Sequence, residues 1–132
     1  MESKRSGAGF RAMDKRLRFI SELGKQILFV DFSNCLAGDV EEIARMVPDF
    51  LTGQPLRSVL LLIDFTGASF DAEAIRVMKE SAVFDKPYIK KSAWIGASNF
   101  PKEFHEQISG FSGRELPAFR TREEALTWLV AD

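Results

Sequence analysis

Two short stretches place carboxylates, hydroxyls and small residues where an apolar strand gives way to a helix. Val30-Asp31-Phe32-Ser33 leads into Asp39-Val40-Glu41-Glu42-Ile43, and Ile63-Asp64-Phe65-Thr66-Gly67 leads into Asp71-Ala72-Glu73-Ala74-Ile75. Open α/β sheets bind ligands outside the carboxyl ends of their strands. Helix N-termini present free N–H groups that attract anions. The residues expected to gather at this end are Ser33, Asn34, Thr66, Gly67, Ser69, Ser98, Asn99 and Thr121, with Asp64, Asp71 and Glu73 beside them. The same residue types also cap helices and form turns, and Ser69 in particular reads as a helix cap. Asp64 ends a buried strand, so its carboxylate must bond to turn amides or reach solvent. The echo between the two stretches reads as one turn solution used twice, not as a duplicated site.

A second set, Lys86, Tyr88, Lys90, Lys91 and Arg114, belongs near the amino ends of the strands. There it forms a basic rim that either binds an acidic partner or phosphate, or is simply solvated. Enzyme templates fit poorly. His105 is the single histidine, expected on an exposed helix face, so neither a catalytic triad nor a three-histidine metal site can be assembled. Cys35 follows Asn34 in a turn with no evident base. Gly67 lacks the glycine spacing of a dinucleotide or phosphate-binding loop. Asp31 and Asp64 superficially match a receiver-type phospho-aspartate site, but the last strand offers Arg120 where a Lys is wanted. The expectation is a chain without catalytic residues, metal or cofactor.

The chain has 132 residues, 45% hydrophobic and 28% charged, with a net charge of −1. This is the composition of an ordinary globular domain, and the near-zero net charge argues against a nucleic-acid partner. The first 18 residues nevertheless carry six Lys or Arg against two acids, so residues 1–13 are expected to form a flexible basic arm ahead of one domain at 14–132. No apolar run approaches the roughly eighteen residues of a membrane span. A lone Cys35 fits a reducing cytoplasm.

The elements that must hold these residues follow from periodicity. Leu17–Glu22 and Gln26–Ser33 are β-like runs joined by Leu23-Gly24-Lys25, a link short enough only for an antiparallel hairpin. A helix opens at Asp39 with Val40, Ile43, Val47, Phe50 and Leu51 at helical spacing, and Pro48 should kink or restart it. Ser58–Phe65 is an apolar strand, and Asp71–Phe84 a helix with Ile75, Met78 and Ala82 inward. Lys91–Ala97 is a strand, and Phe100, Phe104, Ile108 and Phe111 make a helical stripe. Leu116–Arg120 is a short strand. Thr121-Arg122-Glu123-Glu124 is a capping box, starting a helix that buries Ala125, Trp128 and Leu129. The order is ββαβαβαβα, an α/β fold with a five-stranded mixed sheet and about four helices.

Ile27-Leu28-Phe29-Val30-Asp31-Phe32-Ser33, Gln54-Pro55, Ser58–Asp64 and Lys86-Pro87-Tyr88-Ile89-Lys90-Lys91-Ser92-Ala93-Trp94-Ile95-Gly96 together resemble the STAS/SEC14-type small bacterial proteins, often termed SpoIIAA-like. Phe111-Ser112-Gly113-Arg114 and Phe119-x-Thr121-x-Glu123-Glu124-Ala125-x-x-Trp128-Leu129 continue the resemblance to about residue 131. It implies a STAS-like fold. In the regulatory members a serine at the start of the helix after the central strand accepts phosphate. Here Ala72 and Glu73 occupy that place, leaving Ser69 as the nearest hydroxyl and Thr66 as a distant second. The resemblance therefore implies a non-catalytic protein-interaction module without the usual phosphoacceptor, docking through Asp71–Phe84 and the turn before it. The alternative it implies is a small carrier or sensor of a lipid-like or other apolar or anionic ligand, whose pocket the 12 Phe residues would line if they were not simply core. A homodimer is compatible with either.

Overall fold

Leu23 and Gly24 both adopt positive φ, 51° and 78°, as the two central residues of a type I′ hairpin turn must. They join β1 (Leu17–Glu22) to β2 (Lys25–Asp31) in antiparallel register from Leu17↔Val30 to Glu22↔Lys25. The computed structural model describes residues 15–96, 102, 105–106 and 116–131. After β2 come α1 (Ala37–Leu51), β3 (Val59–Asp64), α2 (Ala72–Asp85), β4 (Ile89–Ile95), β5 (Ala118–Phe119) and α3 (Arg122–Val130). The sheet has the order β1-β2-β3-β4-β5, with every pair after the hairpin parallel. Five strands in a mixed sheet, with helices on both sides, is the expected architecture.

Alternation along the strands divides the core. Leu28 and Val30 of β2, with Val59 and Leu61 of β3, face α1 and α2. Ile27, Phe29, Leu60 and Leu62 face α3. Strands covered on both faces must be apolar at nearly every position, which is why β3 reads as an unbroken run. Buried faces of this size supply most of the drive to fold.

Several expectations shift. The first helix starts at Ala37, not Asp39, and runs through Pro48 to Leu51 without a break. Proline has no N–H to give the carbonyl four residues back. The neighbouring helix supplies a donor instead: the Ser81 hydroxyl lies 3.3 Å from the Ala44 carbonyl. β4 begins at Ile89, two residues before Lys91, and β5 keeps only two residues of the expected 116–120. The inward face of α2 is Ala74, Val77 and Met78, with Ile75 and Ala82 only half-buried. In α3, Ala125 and Leu129 are buried, but Trp128 is half-buried at the rim of the core. The helical stripe at 100–111 falls outside the described residues except at Lys102, His105 and Glu106.

Candidate functional site

At the carboxyl ends of the parallel strands, backbone geometry builds a shelf. Asp31 Oδ1 accepts from the Ser33 amide, and Asp64 Oδ1 accepts from the Thr66 amide, both at 2.9 Å. Each carboxylate thus closes the turn that follows its own strand, so Asp64 is structural. One residue later the chain enters the left-handed region, at Asn34 (φ 58°) and Gly67 (φ 71°), and the chain leaving β4 does so at Gly96 (φ 70°).

The turns then stack. The Asn34 amide donates to the Thr66 carbonyl at 2.7 Å, and the Ser69 amide donates to Cys35 O at 2.9 Å. A Cβ on Gly67 would strike Asn34 Oδ1, and one on Gly96 would lie 2.6–2.7 Å from the Thr66 backbone. Both positions favour glycine for conformation, and Gly96 needs it for space as well, since its neighbour is backbone and not a movable side chain. Beneath lies an aromatic floor, with Phe32 stacked on Phe65 at 5.4 Å and Phe65 edge-on to Trp94 at 4.8 Å. Asn34, Thr66, Gly67 and Ser69 are exposed on top, and Ser33 is half-buried. The structure therefore brings together Ser33, Asn34, Thr66, Gly67 and Ser69 of the expected carboxyl-end residues, but not Thr121, which caps α3 on the other face of the sheet. Ser98 and Asn99 lie outside the described residues.

The three helix starts differ. Asp71 caps α2 by accepting from the Ala74 amide at 2.8 Å. Asp71, not Ser69, is therefore the cap. Thr121 caps α3 by accepting from the Glu124 amide at 3.1 Å. The return bond of that box goes to the Arg120 amide instead of that of Thr121. At α1 the first position is Leu36, 69% exposed, with no side-chain cap bond. The first turn of α1 thus lacks the side-chain acceptor that Asp71 and Thr121 give the other two helices. Sequence reading missed Leu36, whose signal is an apolar residue standing where a capping residue belongs.

Glu73 is already committed. It pairs with Arg76 one turn on and lies 3.7 Å from Arg45 of α1. Arg45 also reaches Glu41 at 3.3 Å, and Arg76 reaches Glu80 at 2.6 Å. The hydrogen bond from Arg76 holds the Glu73 carboxyl below the usual carboxylate range, and charge attraction to Arg76 and Arg45 adds to it. This surface ladder links α1 to α2 and leaves Glu73 little capacity for a ligand.

Of the expected basic rim, Lys90 and Lys91 line one concavity of about 350 Å³ together with Lys25, Gln54 and Ser58, while the others take separate places. Lys91 Nζ donates to the Trp128 and Ala131 carbonyls at 2.7 and 2.9 Å and sits 4.6 Å over the Trp128 ring. It is the C-terminal clasp of α3, helped by Lys25, which donates to Val130 O at 2.9 Å. Lys86 and Lys90 are exposed, Tyr88 packs beside Phe84 at 6.0 Å, and Arg114 lies outside the described residues.

Two further features bear on chemistry. A cavity of about 50 Å³ lies between the sheet and the α1/α2 layer, lined by Val30, Leu61, Met78, Asp85, Ser92 and Trp94 among others. Ser92 is 1% exposed, and its hydroxyl has no hydrogen-bond partner among the described residues. Cys35 is buried, and burial pushes its thiol up to about 11, far from a nucleophile's range. His105 is half-buried rather than exposed. Its Nε2 is 2.7 Å from Leu116 O, and its ring is 4.7 Å from Trp94. Among the described residues no three His, Cys, Asp or Glu side chains are grouped to hold a metal ion, and no helix is long and apolar enough to cross a membrane.

No protein-family model and no curated protein sequence matches the chain. Among solved structures it is similar to an uncharacterized protein of the DUF3478 family with a SpoIIAA-like fold from Shewanella loihica PV-4. The two share 19% identity with a TM-score of 0.65, over 86% of this chain and 91% of the other. The chain has a SpoIIAA-like fold.

Proposed function

On this fold, we propose that the chain is a non-catalytic regulatory module that docks a protein partner through the shelf at the carboxyl ends of β2 and β3 and the start of α2. One observation carries the reading. Asn34, Thr66, Gly67 and Ser69 are exposed on a backbone locked by inter-turn bonds of 2.7–2.9 Å. Such a surface loses little conformational freedom when a partner lands on it. Leu36, 69% exposed at its edge, adds an apolar anchor among polar rim residues.

Regulation by phosphate finds little support at the start of α2, where Ala72 has no hydroxyl and Glu73 is held in ion pairs. A phosphate on Ser69 would bring about −1.5 to −2 charges next to Asp71 and Glu73. The module is therefore constitutive, or set by a ligand.

The test is capture from native cells, followed by binding measurements with the purified partner. Thr66→Arg on the shelf is expected to weaken binding about tenfold or more, while Lys86→Glu at the far end leaves it unchanged. Ser69→Ala and Ser69→Asp should bind alike, and phosphosite mapping should find Ser69 unmodified. Substantial phosphate on Ser69, with unequal binding by those two variants, overturns the reading.

The carrier alternative rests on the cavity beneath α1 and α2. At about 50 Å³ it has room for a few water-sized groups and not for a lipid tail, whereas the concavity of about 350 Å³ at the amino ends, lined by Lys25, Lys90 and Lys91 beside apolar side chains, suits an anionic ligand better. Native mass spectrometry separates the two readings, because a carrier retains a co-purified apolar mass.

A further inference from the structure

The two edges of the sheet are unlike. β5 is two residues long, and a strand so short offers little for another chain to pair with. β1 runs six residues in unbroken register with β2 and contains no proline. None of the described residues pairs with its outer side. It is the kind of edge that folded proteins ordinarily blunt.

The hairpin decides which backbone groups face outward. A two-residue turn makes Glu22 and Lys25 a hydrogen-bonded pair, and the alternation then makes Ile20–Ile27 and Arg18–Phe29 the next ones. The N–H and C=O groups of Leu17, Phe19 and Ser21 therefore point away from the sheet. Consider a second β1 laid antiparallel about a twofold axis at Ile20. Phe19 then stands opposite Ser21 of the copy, and Ser21 opposite its Phe19, so the outward groups meet in hydrogen-bonding positions.

The side chains select the same register. Arg18 faces Glu22 of the copy, and Glu22 faces Arg18, on the sheet face where Arg18 lies 5.0 Å over the Phe29 ring. An axis at Phe19 sets Arg18 against Ile20, and one at Ser21 sets Glu22 against Ile20, so neither makes the ion pairs. Opposite charges directly across strands stabilise pairing, and like charges oppose it. The axis at Ile20 also lands Leu23, 81% exposed at the hairpin tip, beside the start of β1 in the copy.

We propose that the chain forms a twofold dimer by antiparallel β1–β1 pairing, which joins two sheets into one. The charges on this edge, which resist a generic strand, are complementary to a second copy of the same strand. The pairing runs along the side of the sheet and does not depend on the shelf or its partner.

Sedimentation velocity on the full chain over a concentration series tests this. A concentration-dependent dimer is expected. Arg18→Glu or Glu22→Arg alone sets like charges opposite twice and should weaken it about tenfold, and the Arg18→Glu/Glu22→Arg double variant should restore it. Ser21→Pro removes an outward N–H without touching the β1–β2 bonds and should leave monomer. Ile20→Cys in a Cys35→Ala background should oxidise to a covalent dimer, because non-hydrogen-bonded antiparallel pairs lie within disulfide reach. A monomer at every concentration overturns the proposal. So does a dimer that neither Arg18→Glu nor Ser21→Pro moves while the circular-dichroism melt stays unchanged.

Discussion

The carboxyl and amino ends of this sheet were equally conspicuous in the sequence, and the fold treats them in opposite ways. At the carboxyl end, small and polar residues are gathered by the backbone itself. Two Asp carboxylates close successive turns at 2.9 Å, and glycine at 67 and 96 lets the turns stack. At the amino end, basic residues close in sequence take different partners, although Lys90 and Lys91 still line one concavity with Lys25. Lys91 is drawn to the end of α3, Tyr88 to Phe84, and Lys86 and Lys90 to solvent. Short side chains go where the backbone puts them. Long ones go where a partner several ångströms away satisfies them.

The sharpest break of this comparison is at Gly96. A Gly96→Val side chain meets the Thr66 backbone at 2.6–2.7 Å, in a conformation that L residues rarely adopt. It should cost about 4 kcal/mol or more in urea denaturation. Gly24→Asn at the hairpin tip, where nothing lies within 4 Å of an added Cβ, should cost about 1 kcal/mol or less. Equal losses would mean that the turns are not stacked as described.

At the amino end, Trp128→Ala should lower stability by about 3 kcal/mol, the low end for an aromatic truncation, because the ring is half-buried. A melting temperature that barely moves would show that α3 does not dock through it. Lys91→Met keeps the stem and removes the bonds to Trp128 O and Ala131 O. It should cost about 1–2 kcal/mol, against about 0.5 kcal/mol or less for Lys86→Met. Parity between those two lysines would return Lys91 to a solvated rim.

The smallest effect probes by pH the buried thiol of Cys35, whose carbonyl holds the Ser69 amide of the shelf. The folded Cys35 thiol is raised from 9.0 to about 11 by burial. Native protein then holds a proton that unfolded chain releases, so this contribution is whole below 9.0 and is lost as pH rises toward about 11. Wild type should lose about 1 kcal/mol more than Cys35→Ala between neutral pH and about pH 10. Identical pH profiles for the two would place the thiol in water.

Much of the fold was legible because its signals are local. An unbroken apolar run names a strand buried on two faces, Leu23-Gly24 names a hairpin turn, and Thr121 stands where a helix cap belongs. The shelf was half legible: its residues were nameable from the strand ends, but Leu36 was missed, because its one signal, an apolar residue at a capping position, shows only once the helix is known to start at Ala37 and not at Asp39.

What the sequence determined by itself is therefore the set of elements, their order and the residues at their ends, because φ preference and periodicity act over a few neighbours. Tertiary structure alone decided the rest. Ser81 lies close enough to serve the Ala44 carbonyl that Pro48 cannot, from 37 residues away. Lys91 clasps a helix end equally distant along the chain. The turns after β3 and β4 stack tightly enough to exclude a methyl group at Gly96. Each depends on two segments meeting at a particular distance, and that distance exists only once the core has closed between them.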